Sequence, residues 1–398
     1  MKVENSAAEI ESQIRSLLPE IKERSEEFEA ARRIPLDMVE KLRKAGCFRI
    51  CVPTEYGGAE LEIGHRLSLI SELATADAST AWTVAIASDS VLILVRGPEE
   101  TFNDIYKDGP DVVLAGTAAP SGTAEIVEGG YRVTGRWGWA SGSLHAEWLM
   151  VNCIVTVNGE KQFLPAHGDG PAQPMMRTVV FPKETSGAEV VDVWNVTGLC
   201  GTGSNDIVVK DLFVADDHSL DFFSGEPLVP APVYKSFVGQ AGLILAAIAI
   251  GIARGALADI VELSQTRKQR VMATSNMMDS ELLRHRLGES TIALEAITKI
   301  LHAKAREFVA GANDLPEGPA QINDPLIVSC GAMGAWITAR AAEIVDTAYA
   351  AGGGTSVWRT STLQRRFRDM HTLTSHAVLS EARTIGYGQL VLDGKVSI

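Results

Sequence analysis

With 398 residues, 46% of them hydrophobic, the chain carries enough apolar material for more than one buried core and lacks the composition of a disordered one. A formal charge of −14 argues against a nucleic-acid partner, because affinity for phosphate backbones comes from clustered Lys and Arg releasing counterions. Cys47, Cys51, Cys153, Cys200 and Cys330 show neither a CxxC pair nor zinc spacing, and the charged N-terminus has no apolar run of the secretory kind, so free thiols and a cytoplasmic location are expected.

Residues 1–112 carry a helical period. Ile10, Ile14, Leu17, Leu18 and Ile21 recur at three- and four-residue spacing, and Pro35 opens a second amphipathic run ending at Gly46. A turn-rich segment from Pro53 to Gly58 precedes a helix rich in small residues, ASTAWTVAIAS from Ala78, which suits close packing. Over residues 113–225 the period falls toward two: Tyr131 to Trp139 and Asp206 to Val214 alternate, and Trp148 to Val157 reads as a buried strand. An antiparallel β domain is expected there. Across residues 226–398 long helical runs return, as in a four-helix bundle. The uncharged stretch from Ser236 to Ala253 is read as a buried bundle helix rather than a membrane span, since its strictly apolar part is too short. The order α, β, α without βαβ alternation gives an α+β class and argues against a Rossmann or barrel architecture. GxGxxG, Walker and HExxH motifs are absent, so nothing points to a bound nicotinamide or metal.

Several segments, in order, carry a family resemblance. Pro53-Thr54-Glu55-Tyr56-Gly57-Gly58, the loop Gly198-Leu199-Cys200-Gly201-Thr202-Gly203-Ser204, and Ala253-Arg254-Gly255-Ala256-Leu257 followed by Arg267 are similar to the P-x-EYGG, GxxGTxS and ARGAL…R segments of the acyl-CoA dehydrogenase superfamily. Two more resemble its two-component hydroxylase branch, which includes p-hydroxyphenylacetate, 3-hydroxy-seco-steroid and dibenzothiophene monooxygenases. They are Gly129 to Trp137 running into Trp139-Ala140-Ser141-Gly142, and Leu363 to His371 continuing to His376.

The resemblance implies an acyl-CoA dehydrogenase-like fold, assembled as a homotetramer: an N-terminal helical domain, a central β domain and a C-terminal helical bundle. It also implies an oxygenase component that takes reduced flavin (FMNH2 or FADH2) from a separate NAD(P)H-dependent flavin reductase. With O2 as co-substrate, such an enzyme hydroxylates a small aromatic molecule through a C4a-hydroperoxyflavin. On the same basis Ser141 lies beside the flavin ring, with Trp139 and Gly142 flanking it. Arg267 reaches the flavin phosphates, and Gly353 and Gly354 let backbone approach the nucleotide. His376, expected on a helix one turn after Thr372, faces flavin and substrate as a base or hydrogen-bonding group, and His371 has an orienting or structural role.

The family's dehydrogenases place a glutamate base directly after the position of His376 or at the start of the apolar helix. This chain has Ala377 at the first and Gln240, Ala241 and Gly242 at the second. Thioester dehydrogenation then has no proton acceptor, which leaves oxygen chemistry as the main reading. A dehydrogenase or oxidase using another base and a catalytically silent scaffold are the competing ones. Ser88-Asp89-Ser90 stands where many branch members carry a histidine, so a different substrate pocket is expected there.

Overall fold

The computed structural model describes residues 7–164, 172–221, 225–266, 276–316 and 318–396. Two amphipathic helices open it: α1 (Ala7–Ala31) buries Ile10, Ile14, Ile21 and Phe28 along one stripe, and α2 (Leu36–Lys44) buries Met38, Val39 and Leu42. Helices α3 (Ile63–Ala76) and α4 (Ala78–Asp89) meet at Asp77, whose carboxylate accepts hydrogen bonds from the Thr80 amide (2.7 Å) and hydroxyl (2.8 Å). That cap satisfies an amide with no partner inside the helix and fixes where α4 starts. Short helices α5 (Val91–Leu94) and α6 (Glu99–Tyr106) lead into the sheet.

The middle segment forms β1 (Leu114–Val127), β2 (Gly130–Ala140), β3 (Trp148–Val157), β4 (Glu160–Lys161), β5 (Met176–Pro182), β6 (Ala188–Val191), β7 (Asn205–Ala215) and β8 (Ser219–Leu220). They lie in one sheet of order β6-β7-β2-β1-β3-β5-β8, with β4 beside β3. The expectation of an antiparallel domain is corrected at one place, because β1 and β3 run parallel. The cause is topological: β2 returns antiparallel to the end where β1 began, and the chain then crosses that end to lay β3 on the other edge of β1. Residues 141–147 make this crossing.

Helices α7 (Phe237–Thr266), α8 (Glu281–Gly311), α9 (Pro325–Gly352), α10 (Thr362–Thr374) and α11 (Ala382–Leu392) complete the fold. By length and composition α7 could cross a membrane, yet 83% of its most apolar stretch is buried inside the protein, as a bundle-core helix requires. Helices from both ends of the chain share one apolar core, while the sheet has its own around Trp137, Leu149, Val151 and Ile207. Helix α10 is pinned by Arg366, which forms a buried ion pair with Asp259 of α7 (2.5 Å) and donates to the Thr75 carbonyl of α3 (2.9 Å). All five cysteines are buried and free.

Candidate active site

The site grows out of an irregularity at the end of β2. Pairing with β7 runs Trp137↔Ile207 and then Ala140↔Asn205, so two residues of β2 oppose one of β7. This is a β-bulge, and its second residue, Trp139, takes a positive φ of 62°. The extra residue breaks the in-out alternation. Trp137 stays fully buried and donates from its indole nitrogen to the Asn152 carbonyl (2.6 Å), whereas Trp139 turns outward, 73% exposed. Trp137 belongs to the core, and Trp139 alone of the two is free to wall a site.

Two residues later Ser141 enters the helical layer. Its Oγ accepts from the indole nitrogen of Trp82 on α4 (2.8 Å) and lies 2.7 Å from Oγ of Ser204. Ser204 in turn lies 2.7 Å from Oγ1 of Thr202, which donates to the Leu199 carbonyl (2.8 Å). Gly142 locks the crossing to the same loop, its amide donating to the Thr202 carbonyl (2.9 Å) at a φ of 72° that an L side chain rarely adopts.

His376 approaches from the C-terminal side. Its ring meets that of Trp82 edge-on, with centroids 5.5 Å apart and planes at 67°. It does not lie on α10 as expected. That helix stops at Thr374, and His376 caps the short turn Ala377–Leu379, with Nδ1 accepting from the Val378 amide (3.3 Å). Helical periodicity extends past Thr374 in the sequence, but backbone capping ends the helix first. Burial, with the Arg383 cation nearby, lowers the His376 pKa and favours the neutral ring. The hydrogen bond at Nδ1 assigns the proton of that neutral ring to Nε2, so the free nitrogen is a donor.

The loop carrying Thr202 and Ser204 is fastened to α10. The Leu199 amide donates to Asp369 (2.7 Å), and the Arg368 guanidinium reaches the Thr197 carbonyl and, at 2.8 Å, Glu29 of α1. Gly198 makes this docking possible: a Cβ there would stand 2.2 Å from the Arg368 carbonyl oxygen. Burial pushes the Asp369 carboxyl up to about 7, and the nearby Asp77 charge adds to the rise.

The other expected residues lie apart from this cluster. His371 points to Asp346 of α9 (2.9 Å) on the protein surface and packs on Phe367. Gly353 and Gly354 are exposed at the end of α9, and among the described residues no atom beyond their chain neighbours lies within 4 Å of where a Cβ would stand. Arg267 lies outside the described residues. At the two dehydrogenase-base positions, Ala377 is exposed and Gln240 is spent structurally, accepting from Arg66 (2.8 Å) and donating to the Val233 and Ser236 carbonyls (both 2.8 Å). Asp89, in the segment expected to differ, ion-pairs with that same buried Arg66. Trp82, Thr202, Ser204 and Asp369 carry the geometry of the site, and sequence reasoning gave none of them a role. The only signal was that all four fall inside recognisable segments.

The exposed indole of Trp139, two residues before the buried Ser141 hydroxyl, offers a flat apolar face, and that hydroxyl keeps an acceptor position to spare, a pair of features with the chemistry to hold an isoalloxazine ring. Relatives of the chain include oxygenase components of flavin-dependent monooxygenases. Residues 7–103 match the acyl-CoA dehydrogenase N-terminal domain and residues 243–381 the acyl-CoA dehydrogenase C-terminal domain. The chain is 30% identical over 376 residues to an indole-3-acetate monooxygenase of Pseudomonas putida, covering 92% of this chain and 90% of that one. It is 28% identical over 389 residues to the oxygenase component of an FADH2-dependent resorcinol hydroxylase from Rhizobium sp., with 92% and 90% covered. The crystal structure of 3-HSA hydroxylase from Rhodococcus sp. RHA1 superposes with a TM-score of 0.85 at 28% identity, over 98% of each chain. The chain belongs to the acyl-CoA dehydrogenase superfamily, in its branch of flavin-dependent monooxygenase oxygenase components.

Proposed function

We propose that the chain places one oxygen atom of O2 on a small aromatic molecule of the phenol or indole class, using reduced flavin delivered by a separate NAD(P)H-dependent reductase. One observation carries this reading. Ser141, Trp82 and His376 converge from three distant segments, while Ala377 and the fully committed Gln240 leave no carboxylate at either dehydrogenase-base position. Bound reduced flavin supplies the two electrons that let one oxygen atom go to substrate and the other to water.

The chain's own residues supply placement. Trp139 offers the ring a face, Ser141 a polar contact, and the small Gly142 keeps the crossing tight against α4, where a Cβ would come within 3.3 Å of Thr83. His376 presents Nε2–H as a donor toward substrate or oxygen, in place of the base the sequence also allowed. Assembly as a homotetramer in the cytoplasm completes the reading. The exposed apolar side chains of Val357, Trp358, Ile385 and Leu392 support burial of that surface between subunits.

The test supplies photoreduced FMN or FAD and 18O2 to the protein with a panel of phenols and indoles. Incorporation of one labelled atom is expected; absence of label with both flavins would remove the monooxygenase reading. His376→Ala should lower product per reduced flavin by about 100-fold while leaving reduced-flavin affinity nearly intact. Equal loss of both would overturn the role given to His376.

A further inference from the structure

Trp82, Ser204 and Thr202 stand behind Ser141, and the polarity of their hydrogen bonds is fixed from both ends. At one end the indole N–H of Trp82 can only donate, and it donates to Ser141 Oγ at 2.8 Å. At the other end the Leu199 carbonyl can only accept, and two oxygens 2.8 Å apart need a hydrogen between them, so the Thr202 proton lies there. Thr202 must then accept from Ser204 at 2.7 Å, and Ser204 must accept from Ser141 at 2.7 Å. Every hydroxyl proton in the line points away from Trp82. Ser141, Ser204 and Thr202 are 6%, 4% and 1% exposed, which leaves water little chance to reverse the order.

Ser141 therefore keeps one lone pair and no free proton. We propose that Trp82, Ser204 and Thr202 are positioning residues that fix Ser141 as a pure acceptor, so that the site selects flavin carrying a hydrogen on N5. This rests on the reading that Ser141 meets the flavin ring at N5. Reduced flavin has a hydrogen on that nitrogen and matches the lone pair. Oxidised flavin has only a lone pair there, and it must face another lone pair or break the Ser141–Ser204 bond. An oxygenase that borrows diffusible flavin gains from this asymmetry. It captures the reduced form from its reductase and lets the oxidised form go after turnover.

The experiment measures dissociation constants of oxidised and photoreduced flavin, anaerobically, for the full-length protein and its variants. Ser204→Ala removes the inward acceptor, so the Ser141 proton turns toward the pocket and oxidised flavin gains a donor. The ratio of oxidised to reduced dissociation constants should fall about tenfold, which lowers the midpoint potential of bound flavin by about 30 mV for a two-electron couple. Thr202→Val frees the Ser204 proton to point back at Ser141 and should shift the ratio the same way, so it decides the matter if Ser204→Ala does not fold. Thr202→Ser should restore the wild-type ratio, which a merely structural role for the methyl-bearing side chain would not. An unchanged ratio in Ser204→Ala and Thr202→Val, with Ser141→Ala still weakening flavin, would overturn the proposal alone. No effect of Ser141→Ala on either form would instead remove the underlying contact.

Discussion

Asp369 is the buried joint between α10 and the loop that carries Thr202 and Ser204, and its carboxyl titrates near neutrality, at about 7. Asp369→Asn keeps an acceptor for the Leu199 amide and removes the titration. A buried carboxyl whose pKa is raised above the unfolded value of 3.8 binds its proton in the folded state first. It therefore contributes stability at low pH that is lost as pH rises from about 4 through about 7. Integrating that difference between pH 5 and pH 8 gives on the order of 2–3 kcal/mol, at 1.36 kcal/mol per pKa unit. For 398 residues the unfolding entropy is on the order of 0.8 kcal/mol per degree, so the asparagine variant should gain about 3 °C on wild type between the two pH values. Thermal melts of both proteins in matched buffers measure it, and taking the difference cancels the other titrating groups. Parallel midpoints at pH 5 and pH 8 would refute the assignment of a raised pKa to Asp369.

Two further substitutions test the geometry. Trp139→Ala removes an exposed ring, so the melting temperature should move by no more than about 1 °C, while reduced-flavin affinity in an anaerobic titration should fall about tenfold; a matching loss of stability would show the ring to be structural. Gly198→Ala drives a methyl into the Arg368 carbonyl, which should cost about 2 kcal/mol, lower the melting temperature by a few degrees and speed hydrogen exchange at the Leu199 amide; an unaltered melt would refute the close approach.

The succession of helix, sheet and helix was legible because the apolar period changes from three or four to two and back, as the buried stripe of α1 and the alternation within β2 show. The direction of β3 was not legible. It depends on which edge of β1 the chain reaches after β2, and no local pattern records that choice. The same limit hid the partner of Ser141. Its hydrogen bond to Trp82 spans 59 residues, and nothing local to either side says that a strand end and a helix of small residues will meet. His376 was singled out by its segment but expected on the wrong element, because an amphipathic pattern continues where the helix does not. Trp137 and Trp139 looked equivalent in an alternating strand, and one extra residue in the pairing with β7 separated them.

That extra residue has an effect beyond the tryptophans. A strand is a wave of period two, and inserting one residue shifts its phase by half a cycle. Trp139, which an unbroken alternation would bury, is turned out, and Ala140 beyond it falls back into the sheet interior. The Trp139 side chain can therefore be exchanged, to accept a different substrate or flavin, without detuning the alternation that holds the sheet together.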